Sequence, residues 1–254
     1  MRRYSGAGWC AVADASNEWS VEPTVPQGGD LSSGAPVRTH AGTFITFEGV
    51  EGSGKSTQLG LLAKRLELAD VRIRCLREPG GTSVGEAIRR ILLDPEHLGL
   101  DARAELLLYE ASRAQLVAEV IEPALQAGDV VLCDRFFDST TAYQGYARGL
   151  PLEEVARLNE AATGVLTPDL TIVIDVDPAL VLERACDASG APDRLELEDV
   201  AFHQRVREGF LAIARAEPQR VVVVDGEGPV EAVAGRVFDA VRGSGVLRGV
   251  LGAQ

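Results

Sequence analysis

Thr43-Phe44-Ile45-Thr46-Phe47-Glu48-Gly49-Val50-Glu51-Gly52-Ser53-Gly54-Lys55-Ser56-Thr57 is the stretch that decides the fold. Within it, Gly49-x-x-x-x-Gly54-Lys55-Ser56 completes a Walker A pattern. β-formers precede the pattern and an amphipathic helical period follows it, the setting a phosphate-binding loop requires. Gly49, Gly52 and Gly54 let the backbone turn tightly and bring N–H groups close to phosphate oxygens. The helix that starts near Lys55 adds unpaired N–H groups and a positive dipole end. Lys55 is expected to reach the β/γ-phosphates of a nucleotide, and the Ser56 hydroxyl to ligate Mg²⁺. Val50, Glu51, Ser53 and Thr57 complete the loop that would wrap the nucleotide.

The 254 residues suffice for one α/β domain with a large core. Hydrophobic residues make up 46% and charged residues 25%, within the range of globular proteins. A net charge of −13 argues against nucleic acid or an anionic membrane surface as the main partner. Each Arg near a motif therefore carries extra weight. None of Cys10, Cys75, Cys133 and Cys186 forms a C-x-x-C pair. Cys75 and Cys133 fall in apolar strand patterns and are expected to be buried free thiols of a cytosolic protein. No apolar run approaches the ~18 residues of a membrane span. Charge at Met1-Arg2-Arg3 is followed by no apolar run, so no secretory signal is expected.

Residues 1–41 lack a sustained period, mix Gly, Ser, Pro and Asn, and hold both tryptophans, Trp9 and Trp19. They read as a disordered extension. From Thr43 onward strands alternate with helices. Strands are expected at 43–48, 71–76, 130–133, 170–175 and 221–224, and helices at about 54–69, from a capping box at 83–86 onward through Arg89 and Arg90, and at about 101–127, 151–163, 199–216 and 229–243. Pro123 should kink the long third helix near its end. Asp177-Pro178 supplies an N-cap and a first-turn Pro. Single helices between strands imply a parallel sheet with right-handed crossovers, and near-continuous apolar strands imply burial on both faces. Residues 42–243 read as one domain and 244–254 as a tail.

Asp134, Asp175 and Asp225 each close a strand. Asp134 is preferred as the carboxylate that orients Mg²⁺, because Arg135 follows it at the sheet edge where α/β proteins bind ligands. Asp175 and Asp225 read as caps. The Asn-Lys-x-Asp motif of signalling GTPases is missing, as is the signature motif of transporter ATPases.

The chain resembles the bacterial thymidylate kinases, nucleoside monophosphate kinases that convert dTMP to dTDP, over residues 43–240. The likeness rests on Phe47 to Thr57, Arg77-Glu78-Pro79-Gly80-Gly81-Thr82, Asp134-Arg135 with Ser139 to Gly145, Pro168-Asp169-Leu170-Thr171, and Asp193-Arg194-Leu195-Glu196. It implies the P-loop NTPase fold, a three-layer α/β/α arrangement on a five-stranded parallel sheet with a short lid at about 186–198. It also implies roles. Glu51 faces the sugar 3′-hydroxyl, Tyr109 stacks on thymine, and Arg113 reaches the base edge. Thr140 and Gln144 hold the pyrimidine edge; Arg77, Arg89 and Arg135 clamp the acceptor phosphate, with Glu78 in the same dTMP site. Lys55, Mg²⁺ on Ser56 and Asp134, and a lid cation neutralise the transferring phosphoryl group. The acceptor is already an anion, so no general base is needed.

The lid departs from the family. Relatives with Gly where this chain has Gly52 place several basic residues there, whereas 186–192 has none and Asp187 adds negative charge. Arg194 is expected to carry the catalytic charge, Arg184 to lie over the adenine, and Arg148 to be the alternative cation. A cytoplasmic homodimer through the third helix, supported by Leu106, Leu116 and Val120, completes the expectations. Another nucleotide or nucleoside kinase is the competing enzyme, and a nucleotide-binding regulator without turnover the competing class.

Overall fold

The computed structural model describes residues 40–181 and 193–248. The expected extension up to residue 39, residues 182–192 of the expected lid region with Arg184 and Cys186, and residues 249–254 lie outside the described residues.

β1 (Thr43–Glu48) is the central strand, because Phe44, Ile45 and Phe47 are apolar on both faces and all are fully buried. It pairs in parallel with β3 (Val130–Asp134) on one side and β4 (Leu170–Asp175) on the other. β2 (Ile73–Arg77) lies outside β3, and β5 (Val221–Asp225) outside β4, giving the order β2-β3-β1-β4-β5. The chain leaves β1 in one direction for β2 and returns to the other side at β4. The crevice at the carboxyl end of β1 is thus the switch point where such sheets bind ligands.

Continuous burial holds for β1, β3 and β4 only. β2 and β5 are edge strands, and each leaves some of its positions open to solvent. Cys75 accordingly faces solvent rather than the core, while Cys133, on β3, is buried as expected. On one face of the sheet, Ile45, Phe47, Leu132 and Ile172 pack with α1 (Lys55–Glu67), α7 (Val200–Ala216) and α8 (Val230–Ser244). On the other, Phe44, Val131 and Cys133 pack against Leu116, Ile121 and Leu125. The three layers follow from strands with two apolar faces.

The single long helix expected at 101–127 is divided. α3 (Ala102–Leu116) runs into a π-helical turn (Val117–Ile121) and then α4 (Glu122–Gln126). Pro123 explains the break, since its ring would collide with the carbonyl four residues back in a regular helix. The wider turn, in which Glu122 N–H reaches the Val117 carbonyl, removes that clash. A second π-helical turn (Thr141–Ala147) follows α5 (Phe137–Thr140), before α6 (Leu152–Thr163). α2 (Ser83–Leu93) starts one residue after Thr82, whose hydroxyl caps the Gly85 N–H at 2.9 Å.

Candidate active site

The P-loop takes its shape from glycines at β1's end. Gly49 has φ 139°, and a Cβ there would stand 2.5 Å from the Ile174 carbonyl oxygen. Gly52 has φ 69°, and a Cβ there would run into the Val181 side chain. Only glycine fits both positions. Lys55 Nζ donates to the carbonyls of Gly49 (3.2 Å) and Val50 (2.7 Å) and to Ser53 Oγ at 3.4 Å. Burial, with the Arg135 cation nearby, pulls the Lys55 ammonium down to about 8.

A cavity of about 430 Å³ opens beside this loop, within the range of small-molecule sites. One part is lined by Gly52, Gly54, Lys55, Ser56, Thr57 and Asp134. The Ser56 hydroxyl donates to an Asp134 carboxylate oxygen, which brings two hard oxygen ligands together at the tip of β3. Such a pair fits Mg²⁺, a cation held by one or two protein oxygens together with substrate phosphates and water. No cluster of three or more His, Cys, Asp or Glu suited to a metal occurs among the described residues. Asp175 instead takes a two-pronged grip from Arg207 (2.6 and 2.9 Å), and Asp225 accepts from the Glu227 N–H at 2.9 Å.

The cavity also reaches Glu51, Arg77, Glu78, Arg89, Tyr109, Arg135, Thr140 and Gln144. Eight of the nine expected dTMP-site residues therefore converge on one space. Arg135 is the keystone. Its backbone is left-handed (φ 73°), and its guanidinium donates to Gly49 O (3.1 Å), Ser139 Oγ (2.9 Å), Glu51 (2.7 Å) and the Tyr143 hydroxyl (3.1 Å). Burial favours a neutral Glu51, but the Arg135 and Lys55 cations prevail and hold its carboxyl below the usual range. Arg77 pairs with Glu86 at 3.0 Å, and Arg89 donates to the Pro79 carbonyl at 3.0 Å. Thr140 Oγ1 and Glu78 Oε1 are buried without hydrogen-bond partners among the described residues, leaving polar capacity for a ligand.

The ninth residue, Arg113, stands behind this wall rather than in it. It is fully buried, and donates to Glu78 (2.9 Å), Glu110 (2.8 Å) and Asn159 (3.2 Å). Two carboxylates on one guanidinium leave a surplus of negative charge. Burial drives the Glu78 carboxyl up to about 7 against the pull of Arg113. Arg113 thus reaches the cavity through Glu78.

Arg194 is a correction. Expected as a lid cation, it is 2% exposed and turned away from the cavity. Its Nε donates to the Leu92 carbonyl at 2.7 Å, and its Nη2 lies 2.5 Å from the Glu105 carboxylate. A charge already neutralised in the interior is not available to a phosphoryl group. Arg148, the alternative, is tied to Glu105 (3.2 Å) and Glu198 (2.6 Å) and also lies outside the lining.

Sequence reasoning missed two buried acids. Glu48 accepts from Phe136 N (2.8 Å), Ser139 N (3.3 Å) and Ser139 Oγ (2.6 Å), so it fixes the segment that presents Arg135 and Thr140. Burial, with the Asp138 carboxylate near it, pushes Glu48 up to about 8. Glu105 is the other. A carboxylate inside an apolar strand and one a helical turn before Tyr109 were the available signals.

Comparison with known proteins identifies relatives of this chain. The pattern of the family described as Thymidylate kinase matches residues 47–237. The thymidylate kinase of Deinococcus radiodurans is 50% identical over 79% of this chain and 96% of its own length. That of Syntrophotalea carbinolica is 52% identical over 77% and 93%. A crystal structure of the thymidylate kinase from Ehrlichia chaffeensis superposes with a TM-score of 0.67 at 36% identity, covering 79% of this chain and 98% of that one. The match starts inside β1, takes in the P-loop, Asp134-Arg135 and the π turn carrying Gln144, and ends in α8; the chain belongs to the thymidylate kinase family of phosphotransferases.

Proposed function

We propose that the chain transfers the γ-phosphoryl group of MgATP to the phosphate of dTMP, giving dTDP and ADP for dTTP biosynthesis. The observation that carries this reading is the composition of one cavity. It joins the P-loop and the Ser56–Asp134 pair to three arginines and to an uncharged end formed by Tyr109, Thr140 and Gln144. Arg77, Arg89 and Arg135 hold the dTMP phosphate, a task that suits the planar guanidinium fork. The ionised Glu51 accepts from the sugar 3′-hydroxyl. Tyr109 stacks on the base, with Thr140 and Gln144 along its edge. An oxygen of the dTMP phosphate attacks the γ-phosphorus, and the bond to the bridging oxygen breaks with its electron pair going to ADP. No proton has to be removed from the attacking group. Positioning and charge neutralisation by Lys55 and the P-loop N–H groups perform the step. Ser56 and Asp134 would hold Mg²⁺, which supplies further positive charge to the phosphates.

A homodimer through α3 is part of the same reading, with a correction to its face. Leu106 and Leu116 are fully buried in the core of this chain. The outward positions are Leu107, Ala111, Ala114 and Ala118, an apolar stripe at helical spacing. Leu107→Glu is expected to convert a dimer to a monomer in sedimentation velocity; an unchanged sedimentation coefficient would count against this face. No helix among the described residues is long and apolar enough to cross a membrane, and we place the enzyme in the cytoplasm.

The test of function is coupled ADP release with MgATP, offering dTMP, dUMP, dCMP, dGMP and thymidine separately. Preference for dTMP is expected. Turnover with thymidine instead would show that the three arginines do not hold an acceptor phosphate.

A further inference from the structure

Glu105 lies on α3 one turn before Tyr109 and is fully buried. Three side-chain donors hydrogen-bond its carboxylate, Gln144 Nε2 at 2.7 Å, Arg148 Nε at 3.2 Å and Arg148 Nη2 at 3.3 Å, and the Arg194 guanidinium stands 2.5 Å away as an ion pair. Guanidinium groups carry donors only, so the oxygens facing them accept, and a side-chain amide meeting the same oxygens must present its NH₂. Arg148 is braced in turn by Glu198 at 2.6 Å, and Arg194 by the Leu92 carbonyl at 2.7 Å.

A carboxamide has one donating and one accepting end. Once Gln144 Nε2 is tied to Glu105, Oε1 is the end left over, on a residue that lines the cavity and is 1% exposed. The neighbouring Thr140 hydroxyl can rotate to donate or accept, so it does not discriminate. Gln144 does. We propose that Glu105 is a positioning residue: it locks the Gln144 amide so that the acceptor pocket presents an oxygen, selecting pyrimidines with an N3–H, thymine or uracil, against cytosine. This rests on the dTMP kinase reading of the cavity. Cytosine N3 carries a lone pair. Placing it against Oε1 sets two acceptors together; turning the amide over instead sets Oε1 against the Glu105 carboxylate. At an amide this deeply buried water does not readily relieve either mismatch.

The experiment is kcat and KM for dTMP and for dCMP, in the unaltered enzyme, in Glu105→Gln, and in the double variant Glu105→Gln with Gln144→Glu, with ATP affinity measured by calorimetry as a readout of folding. In Glu105→Gln the amide is free to turn, and the dTMP-over-dCMP preference in kcat/KM is expected to fall by ~tenfold or more, a modest part of what hydrogen-bonding sites can discriminate. The change should appear mainly in KM. In the double variant the carboxylate is returned on the other side of the contact. The carboxamide introduced on α3 donates to it, the pocket again only accepts, and the preference is expected to recover. A Glu105→Gln enzyme that binds ATP and keeps its preference within about twofold overturns the proposal, as does a double variant without recovery, which a purely structural role would produce. Should Glu105→Gln lose ATP binding through misfolding, the charge-conserving double variant decides alone: preference for dTMP supports the lock, and its loss overturns it. Failure of the unaltered enzyme to use dTMP would instead refute the function itself, before any variant is compared.

Discussion

Two arginines of the same sequence class end in opposite roles. Arg135 accepts a left-handed backbone, a cost of about 1–2 kcal/mol for an L-residue, and spends its guanidinium on four partners around the cavity. An ammonium on a flexible stem cannot reproduce that fork. Arg135→Lys is therefore expected to lower kcat/KM for dTMP by ~10² while ATP affinity changes less, because Lys55 keeps its own bonds to the Gly49 and Val50 carbonyls and to Ser53 even though the Arg135 contacts to Gly49 and Glu51 are lost. Arg194 uses its charge inside the protein. Arg194→Ala removes one partner of a fully buried pair, which is worth about 3–5 kcal/mol of stability. It should lower the denaturant midpoint strongly yet reduce kcat less than tenfold at a temperature where the variant is folded. A thousandfold loss of kcat in a stably folded variant, the scale of supplied arginines, would return Arg194 to the catalytic set.

At the scale of elements, the π turn (Thr141–Ala147) is what sets Tyr143 and Gln144 against the cavity. The close approach of α7 holds it there. A Cβ on Gly209 would stand 3.0 Å from Tyr146 and 3.1 Å from the Ala142 backbone. Gly209→Leu would drive α7 away from the turn, an overpacking that costs about 1–3 kcal/mol. The expected result is a raised KM for dTMP with a smaller change in the KM for ATP, since Tyr143 and Gln144 ride on the turn itself, whereas the P-loop meets α7 elsewhere, where Gly49 and Val50 lie beside Arg207 and Phe210. Equal change in both would mean that the turn does not act on the acceptor end by itself. None of this was legible beforehand. A π turn keeps helical hydrophobic spacing, so 101–127 reads as one ordinary helix, and only Pro123 hinted that a regular turn would fail.

Across the whole molecule, what the sequence made legible was whatever periodicity and glycine geometry control. The strand alternation at Thr43 to Glu48, the Walker glycines and the apolar strand runs led to the sheet, its parallel sense and the cavity's position. Partners of buried charge were not legible, because periodicity reports which face is covered and not what a carboxylate meets there. Glu48 and Glu78 are such groups, and they make stability depend on pH. Their carboxyls rise from 4.5 to about 8 and about 7 on folding, both through burial. Between pH 4.5 and these values the folded chain keeps protons that the unfolded chain has released. Unfolding then sheds protons, and stability falls as pH rises, by up to ~1.4 kcal/mol per pH unit for each group. Lys55 acts in the next window. Burial lowers it from 10.5 to about 8, so above pH 8 the unfolded chain holds the extra proton and Lys55 adds a rising contribution, until the Cys133 thiol, raised by burial, opposes it above pH 9. Glu51 and Glu86, held low in the folded state, lose their contribution below pH 4.5. Urea midpoints should consequently peak near pH 5 and reach a trough near pH 8. Glu48→Gln keeps the shape of the side chain without the titration, so its midpoint should fall less between pH 5 and 8 than that of the unaltered enzyme. Parallel falls in the two proteins would show that Glu48 enters the folded state already ionised, with Ser139 and the Phe136 N–H group sufficient to hold its charge.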